Sequence, residues 1–420
     1  MTRIREKLFA SFAIALSTSA LLPQLRPSGP AFDLTAEDPV IQAVWLAVYA
    51  VAALLLFRQA TPLASIIASN KLLFGFVGLV IGSVAWSDDP SVTVRRSVAF
   101  ALTTLLGVYL ATAFSRRELI DILAWTLAAI VAASVVFAVA LPGRGLDPLH
   151  AYVWQGVFNT KNLLGRYAAL GAVVWLVRVL TRRRSFVSLA GLLLCMYGLW
   201  MSDSKTALLV LVFVVGFCAV LPALRAHPSI AIPTGAIVAI LVVLAASWLM
   251  HNADSAVSTL GRDPTLTGRS DIWSAVWPLA LQHSWLGYGY GAFWQGMSGP
   301  SATVWAIVGF GPPHAHNGYL DVFVQVGGVG VLLLAGALVV LVVRATHALR
   351  EGWSLESILP AALLLFIALY NIPESSLAIH NSLFWVLLVA TSVQLAPNRA
   401  AAVVVAAPRL SVVPAGAHGR

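Results

Sequence analysis

Apolar stretches of about 15–23 residues recur along almost the whole of this 420-residue chain, with short polar segments between them. A bilayer core about 30 Å thick requires an apolar helix of about this length. The pattern therefore predicts an all-α fold, a polytopic membrane protein with about twelve transmembrane helices. The predicted spans are residues 8–22, 39–57, 72–86, 98–114, 119–141, 163–180, 186–201, 206–224, 230–250, 319–343, 358–372 and 377–395.

One long hydrophilic stretch interrupts this pattern. The chain therefore divides into helices 1–9 with short loops (1–250), a long loop (251–318), helices 10–12 (319–395) and a tail (396–420) that we expect to be disordered. The loop is rich in Trp, Gly and Pro, and Ser270–Gln282 within it predicts a short amphipathic helix capped by Ser270.

The basic residues set the predicted orientation. Lys and Arg are about twice as frequent in the loops on one side of the predicted spans, and the strongest cluster is Arg182-Arg183-Arg184. The side richer in Lys and Arg faces the cytoplasm in most membrane proteins. Both termini are therefore predicted to be cytoplasmic, and the long loop faces the opposite side.

Composition supports a membrane protein and excludes other classes. The chain is 59% hydrophobic and only 10% charged, with a mean hydropathy of +0.87, whereas soluble domains carry about 25% charged residues. The formal net charge of +9 does not predict a nucleic-acid partner, because the basic residues lie in short loops between spans. Cys195 and Cys218 lie in apolar runs and predict small buried side chains rather than a disulfide.

Cations on the outer side are the main chemical signal. Five outer segments present Lys, Arg or His, a placement that membrane proteins usually avoid. The cations of four of them are Arg95, Arg96, Lys161, Lys205 and Arg269. If these segments converge, they suit a phosphate or diphosphate headgroup. The alternative is that the cations pair with nearby aspartates such as Asp89, Asp203 and Asp271 and only fix the loops.

The fifth segment contains His314 and His316 immediately before a predicted span. A neutral imidazole at His316 can take a proton from a hydroxyl group. A His-x-His pair can also bind a metal, but Asp321 is the only carboxylate close in sequence, so no metal is predicted. Gly287-Tyr-Gly-Tyr-Gly predicts a tight turn rather than a nucleotide loop, and the sequence predicts no cofactor.

The order of these segments resembles the O-antigen ligase and Wzy-type polymerase superfamily of membrane glycosyltransferases. The matching motifs lie between about residues 70 and 345. They are Trp86-Ser-Asp-Asp-Pro with Arg95-Arg96, Phe158-Asn-Thr-Lys161-Asn162 with Gly165, Ser202-Asp-Ser-Lys205-Thr-Ala-Leu-Leu, Gly268-Arg269-Ser-Asp-Ile-Trp273, Leu286-Gly-Tyr-Gly and His316-Asn-Gly-Tyr-Leu with Gly327 and Gly330. Lys205 stands where ligases often have Arg, so the pattern is closer to ExoQ-like exopolysaccharide polymerases.

This resemblance implies an inverting, metal-independent glycosyltransferase of the bacterial inner membrane with its active site facing the periplasm. The donor would be a glycan on undecaprenyl diphosphate, and the acceptor a hydroxyl of a polysaccharide or of lipid A-core. His316 and Arg269 would be catalytic, with Lys205, Lys161, Arg95 and Arg96 also binding the diphosphate. The residues expected to support the loop or the acceptor are His314, Asn317, Tyr319 and Trp273.

Three activities stay open at this stage. A polymerase of surface polysaccharide is favoured, and an O-antigen ligase that transfers to lipid A-core is the near alternative. A flippase or transporter of lipid-linked sugars is the third, although such proteins carry ionisable residues along a path through the membrane. Expected partners are membrane lipid and, as further candidates, a chain-length regulator or export proteins.

Overall fold

The structure is a computed structural model that describes residues 2–20, 22, 38–59, 61–147, 152–181, 185–226 and 267–397. The predicted span 230–250, the first part of the long loop and the tail lie outside these residues. The secondary structure of the described part is helical apart from one short hairpin, which confirms the predicted all-α class.

Fifteen helices and two short strands make up the described residues, together with a 3-10 turn at Ser83–Trp86. The helices before the long loop are α1 (Arg3–Ser17), α2 (Pro39–Arg58), α3 (Leu63–Ser69), α4 (Lys71–Gly82), α5 (Pro90–Ala113), α6 (Arg116–Ala140), α7 (Pro142–Gly145), α8 (Lys161–Thr181), α9 (Phe186–Ser202) and α10 (Lys205–Ala226). The remaining helices are α11 (Thr267–Gln282), α12 (Pro300–Val308), α13 (Gly318–Glu351), α14 (Leu355–Tyr370) and α15 (Leu383–Gln394). The hairpin pairs β1 (Leu146–Asp147) with β2 (Val153–Trp154).

Five of the described helices, α2, α5, α6, α8 and α13, are long and apolar enough to cross a membrane. The bent pair formed by α3 and α4 makes a sixth if it counts as one span, and α9, α10, α14 and α15 are shorter apolar helices. Large apolar side chains such as Phe57 and Phe186 are more than four-fifths exposed, as expected of surfaces that contact lipid. The protein is therefore a multi-pass membrane protein.

Helix starts follow local capping rules. Asp38 accepts the N–H groups of Val40 and Ile41 at the start of α2. At the start of α6, Ser115 and Glu118 form a reciprocal capping box. Such caps satisfy backbone donors that have no partner within the helix, so they fix where each helix begins.

Helix α8 occupies the centre of the bundle. About 78% of its most apolar 18-residue stretch is buried, against 33% for α2, and it packs on α6, α9, α10 and α14. Small residues allow the close approach of α9: a Cβ at Gly191 would lie 2.4 Å from the ring of Trp175, and one at Gly171 would lie 2.7 Å from the sulfur of Cys195. The middle of α8 therefore packs closely against α9.

The predicted span 72–86 is part of a bent pair rather than a single straight helix. Helices α3 and α4 meet at an angle of 104° around Asn70. The side chain of Asn70 donates to the carbonyl of Ile66 and accepts from Arg344 and Ser392. These contacts satisfy the polar groups at the break, which is required within an apolar bundle.

Helix α13 is broken near its start at Val326 and Gly327, where Gly327 has a φ of +64°. Residues 284–289 supply the missing hydrogen bonds. The N–H groups of Tyr288 and Gly289 donate to the carbonyls of Val324 and Gln325, while Gly328 and Val329 donate to the carbonyls of Ser284 and Trp285. The glycine-rich segment is thus a structural turn against α13, as the sequence predicted.

The predicted amphipathic helix of the long loop is confirmed as α11. Ile272 and Val276 are buried and Leu279 is partly buried on the same face. The helix begins at Thr267, so the prediction that Ser270 caps it is wrong: Ser270 lies within the first turn. The shorter helix α12 packs on α11.

Candidate functional site

A single buried carboxylate, Glu374, joins three of the helices at one end of the bundle. It lies in the segment between α14 and α15. Its Oε1 lies 2.7 Å from Nη2 of Arg269, in the first turn of α11, and its Oε2 lies 3.4 Å from Nη2 of Arg166 on α8. The same Oε2 lies 3.6 Å from Nδ1 of His316, which shortly precedes α13. We call Arg166, Arg269, His316 and Glu374 the Glu374 cluster.

The charges of the cluster keep Glu374 ionised. Its side chain is only 6% exposed, and burial alone would raise its pKa. The contacts with His316, Arg269 and Arg166 outweigh burial and hold the pKa of Glu374 well below its usual range. Two guanidinium groups face one carboxylate, so an added anion would find an excess of positive charge here.

Arg166 is the most deeply buried cation of the cluster. Its guanidinium carbon lies 4.8 Å from the centre of the Tyr370 ring, and its Nε has no hydrogen-bond partner among the described residues. Stacking on an aromatic face stabilises a buried guanidinium group. Neither Arg166 nor Glu374 was among the site residues predicted from the sequence.

The loop that carries His316 is fixed by a cap on α13. Asn317 accepts the N–H groups of Tyr319 and Leu320 at 3.0 Å each, and its own N–H donates to Ser375. The N–H of Gly318 donates to the carbonyls of Asn371 and Glu374. The segment before α13 is therefore tied to the segment that carries Glu374.

Asp321 ties the same two segments together from the first turn of α13. Its carboxylate accepts from the N–H of Ala315, from Nε1 of Trp294 at 2.7 Å and from the hydroxyl of Ser375. On the other side of the loop, Nε1 of Trp273 donates to the carbonyl of Ala315 at 2.7 Å. Both backbone groups of Ala315, which lies between the two histidines, are thus held, and Asp321 is committed to structure.

The two histidines lie together at a turn of the chain. Their ring centres are 4.2 Å apart, and His316 has a φ of +49°. The backbone N–H of His316 donates to Nδ1 of His314 at 3.1 Å. Burial and the neighbouring His316 lower the pKa of His314 to about 3, so His314 is neutral and able to accept this bond. A left-handed non-glycine residue is a strained conformation that is common at functional sites.

The donor set of the cluster can be compared with that of a metal site. His314, His316 and Glu374 each offer one atom, and the three atoms lie within 4.8 Å of one another. A divalent cation here would compete with Arg166 and Arg269 for the same carboxylate, and His314 already uses Nδ1 to hold the loop. The charge pattern therefore favours an anion over a metal ion.

The other predicted cations stand around the cluster rather than within it. Lys205 begins α10, its side chain is 75% exposed, and its Nζ pairs with Asp203 at 2.6 Å. Lys161 begins α8, and its backbone N–H donates to Asp147. Arg95 is exposed on α5, while Arg96 donates to the carbonyl of Gly291. Lys205 and Arg96 therefore make the kind of contact that fixes a loop, which was the alternative to ligand binding.

The remaining predicted residues have structural contacts. Trp273 and Asn317 hold the histidine loop as described above, and the hydroxyl of Tyr319 donates to the carbonyl of Ala368 on α14. Two side-chain contacts join predicted segments in pairs. Ser204 donates to Asn162, which joins the segments of Lys205 and Lys161, and Trp273 donates to the carbonyl of Ala315, which joins the segments of Arg269 and His316.

Fold and site together define a multi-pass membrane protein with a buried cluster of two arginines, a glutamate and a histidine at one end. Residues 189–335 match the family model described as O-Antigen ligase (Wzy_C). The chain is 30% identical over 291 residues to the "Exopolysaccharide production protein ExoQ" of Rhizobium meliloti (strain 1021). These matches support the predicted resemblance to the O-antigen ligase and ExoQ-like superfamily.

The extent of these matches is partial. The alignment with ExoQ covers 65% of this chain and 64% of the length of ExoQ. A chain of the solved structure "Structural coordination of polymerization and crosslinking by a peptidoglycan synthase complex" is 21% identical, with 78% of this chain and 96% of that chain covered. The TM-score of this match is 0.39.

Proposed function

We propose that this protein is a glycosyltransferase of surface polysaccharide assembly in the bacterial inner membrane. It transfers a glycan from undecaprenyl diphosphate to an acceptor sugar hydroxyl at the periplasmic face, and it needs no metal or cofactor. The observation that carries this proposal is the Glu374 cluster, in which two guanidinium groups and an imidazole meet on one buried carboxylate. An anion site beside a proton acceptor is what this reaction requires.

The reaction follows from these groups. The acceptor oxygen attacks the anomeric carbon of the glycan, and the bond from that carbon to the diphosphate oxygen breaks. The leaving diphosphate keeps the electron pair, and Arg269, with Arg166 behind it, stabilises the developing charge. The acceptor proton passes to His316. Attack opposite the leaving group inverts the anomeric centre.

The outlying cations have a part in the same proposal. Lys205, Lys161, Arg95 and Arg96 lie at the same end of the bundle as the Glu374 cluster and line the approach for the second phosphate and the lipid headgroup. Lys205 is the strongest of these, because its ammonium group is exposed and its carboxylate partner Asp203 is itself partly exposed. Exposed pairs of this kind exchange partners at little cost.

A polymerase and a ligase differ only in the acceptor. The similarity to ExoQ over 291 residues supports a polymerase that lengthens an exopolysaccharide. The match of residues 189–335 to the O-Antigen ligase family supports transfer to lipid A-core instead. We favour the polymerase, since Lys205 stands within the Ser-Lys-Thr-Ala-Leu-Leu pattern of the ExoQ-like branch.

A transporter fits the structure less well. Arg166 and Arg178 lie near opposite ends of the central helix α8, and residues 167–177 between them carry no charged side chain. Arg178 pairs with Asp121 and Arg166 with Glu374, so both cations are held in place. A transport path through the bundle would place ionisable groups between these ends.

Reconstitution tests the proposal directly. Purified protein in proteoliposomes receives a polyprenyl-diphosphate oligosaccharide together with either no further acceptor or lipid A-core. A polymerase yields a ladder of longer lipid-linked glycans by mass spectrometry, and a ligase yields a lipid A-core conjugate. Movement of the donor across the bilayer with neither product would contradict the proposal and indicate a transporter.

Arg269→Ala tests the anion site in that assay. We expect a loss of transfer of at least about 10²-fold, as for removal of a group that stabilises transition-state charge. Arg269→Lys should recover only part, because a lysine lacks the planar fork. Arg350→Ala, an exposed arginine at the far end of α13, is the matched control and should transfer normally. Full activity of Arg269→Ala would exclude Arg269 from the site.

A chelator added to the wild-type assay tests metal independence. Loss of activity on adding the chelator would contradict metal independence.

A further inference from the structure

His316 has a buried ring nitrogen, Nδ1, with no hydrogen-bond partner among the described residues. Oε2 of Glu374 lies 3.6 Å from this nitrogen, slightly beyond hydrogen-bond distance. The backbone on both sides of His316 is fixed, by Nδ1 of His314 on one side and by the Asn317 cap on the other. The imidazole therefore faces Glu374 because the loop holds it there.

We propose that Glu374 is a positioning residue that accepts the Nδ1–H of His316 and so presents Nε2 as the proton acceptor. The proposal rests on the function proposed above and adds a residue that the sequence motifs did not contain. A neutral imidazole carries one proton, and a hydrogen bond at one nitrogen decides which nitrogen bears it. With Nδ1–H held by a carboxylate, Nε2 has its lone pair free for the acceptor hydroxyl.

The surroundings of Glu374 make it suited to this role. Arg166 and Arg269 keep it ionised in a buried position, and an ionised carboxylate is the stronger acceptor. It also stabilises the positive charge that appears on His316 when the acceptor proton arrives. The separation of 3.6 Å is longer than a hydrogen bond, as is common for catalytic pairs in ligand-free enzymes, and it needs to shorten by less than about 1 Å.

Arg269 links donor binding to this pair. In the structure its Nη2 contacts Oε1 of Glu374, while His316 faces Oε2. When a diphosphate draws Arg269 away, Glu374 keeps Arg166 and His316 as partners. The carboxylate then interacts more strongly with the imidazole of His316. His316 therefore becomes the stronger base only after the donor is bound.

Glu374→Gln is the primary test. An amide keeps the shape but presents no full negative charge, so kcat should fall by about 10²-fold or more, within the range for loss of a positioned base. The donor KM should stay level or fall, because Arg269 is released for the diphosphate. A structural defect would instead raise the donor KM. Wild-type kcat in a folded Glu374→Gln would overturn the proposal.

An acceptor that needs no base gives the second readout. A sugar carrying a thiol in place of the acceptor hydroxyl is largely ionised near pH ~9, because thiol pKa values are about 8.5. The thiolate attacks the same carbon and expels the same diphosphate, with no proton to remove. Glu374→Gln and His316→Ala should both regain transfer with this acceptor, whereas Arg269→Ala should not. Failure of Glu374→Gln to regain transfer when His316→Ala does would also overturn the proposal.

Two further variants separate folding from function. Asp121→Asn removes the carboxylate partner of Arg178, the other buried arginine of α8, and should leave kcat unchanged. If Glu374→Gln does not fold, Glu374→Asp keeps the charge and withdraws the carboxylate by one methylene group. A tenfold or larger loss of kcat in folded Glu374→Asp, with unchanged donor KM, supports the proposal, and full kcat overturns it. Wild type and His316→Ala test the proposed function separately from Glu374. Transfer by wild type and loss of transfer in His316→Ala support the proposed function, whatever the result for the Glu374 variants.

Discussion

His314 illustrates how one side chain can act through a backbone contact. Its Nδ1 accepts the N–H of His316, and this bond holds His316 in a left-handed conformation that a non-glycine residue seldom adopts. The low pKa of His314, about 3, keeps it neutral across physiological pH, so the acceptor is always present. His314 therefore serves His316 without touching substrate.

This arrangement predicts different outcomes for two substitutions of His314. Asparagine places an amide oxygen near the position of Nδ1 and can accept the same bond, so His314→Asn should keep most of the activity. His314→Ala removes the acceptor and should lower transfer about tenfold, which corresponds to about 1.4 kcal/mol and is the upper part of the usual range for one hydrogen bond. Transfer rates of the two variants, measured against His316→Ala, check this.

The comparison has a clear contrary result. If His314→Asn is as inactive as His316→Ala, then His314 itself takes part in proton transfer or ligand binding, and the supporting role is wrong. If His314→Ala is fully active, the bond to His316 is not needed to hold the loop. The sequence motif alone could not decide between these roles, because it shows spacing but not the tautomer or the turn.

Glu374 shows why part of the site was not predictable from the sequence. Cations on the outer side were the sequence signal, and they pointed to Arg269 and His316. Glu374 lies in a short polar segment, Asn371-Ile-Pro-Glu-Ser-Ser. The predicted spans 358–372 and 377–395 left only residues 373–376 of this segment outside the membrane. A carboxylate at the same end as the cations was the signal that could have revealed it. Its pairing with Arg166, 208 residues away, depends on the fold.

At the level of elements, the kink of α13 places the glycine-rich segment against the bundle. Gly327 has a φ of +64°, and a Cβ at this position would lie 2.2 Å from the backbone of Trp285. The sequence predicted one continuous span from residue 319 and also included Gly327 in a family motif, but periodicity does not reveal a break. Broken helices in membranes are tolerated where other backbone groups satisfy the freed donors and acceptors, as residues 284–289 do here.

Gly327→Ala should therefore be strongly destabilising. The new methyl group meets backbone atoms that cannot rotate away, and the left-handed conformation adds roughly 1 kcal/mol or more. We expect a lower midpoint of thermal unfolding in detergent and reduced transfer. Gly78→Ala, within helix α4 and with open space where the new methyl group would lie, is the matched control and should unfold like wild type. Equal midpoints for both variants would show that the kink is not a fixed feature.

The bend between α3 and α4 depends on equally distant partners. Asn70 at the bend is held by Arg344 and Ser392, which belong to α13 and α15. The local sequence Ser69-Asn70-Lys71 contains no proline or glycine, so nothing near the bend predicted it. By contrast, local capping signals at Asp38 and Ser115 do coincide with helix starts, because their contacts are with neighbouring residues.

For the whole molecule, the central helix α8 separates two charged ends. Arg166 pairs with Glu374 at the end that carries the candidate site, and Arg178 pairs with Asp121 towards the other end. The residues between are free of charge, as the interior of a bilayer requires. The order of apolar stretches was predictable because every span must satisfy this requirement independently of its neighbours.

The orientation of the molecule gives a prediction that needs no substrate. The distribution of basic residues in the loops predicts that the site end lies outside the cytoplasm and the far end of α13 inside. Met297 is 75% exposed at the site end and Arg350 is exposed at the opposite end, so each can carry a single cysteine. The native Cys195 and Cys218 are 0% and 3% exposed, and they should react little with a thiol reagent.

In intact cells with a permeable outer membrane, a reagent that cannot cross the inner membrane should label Met297→Cys and spare Arg350→Cys. Permeabilising the inner membrane should expose both. Labelling of Arg350→Cys alone in intact cells would place the Glu374 cluster on the cytoplasmic side, where a periplasmic transferase cannot operate.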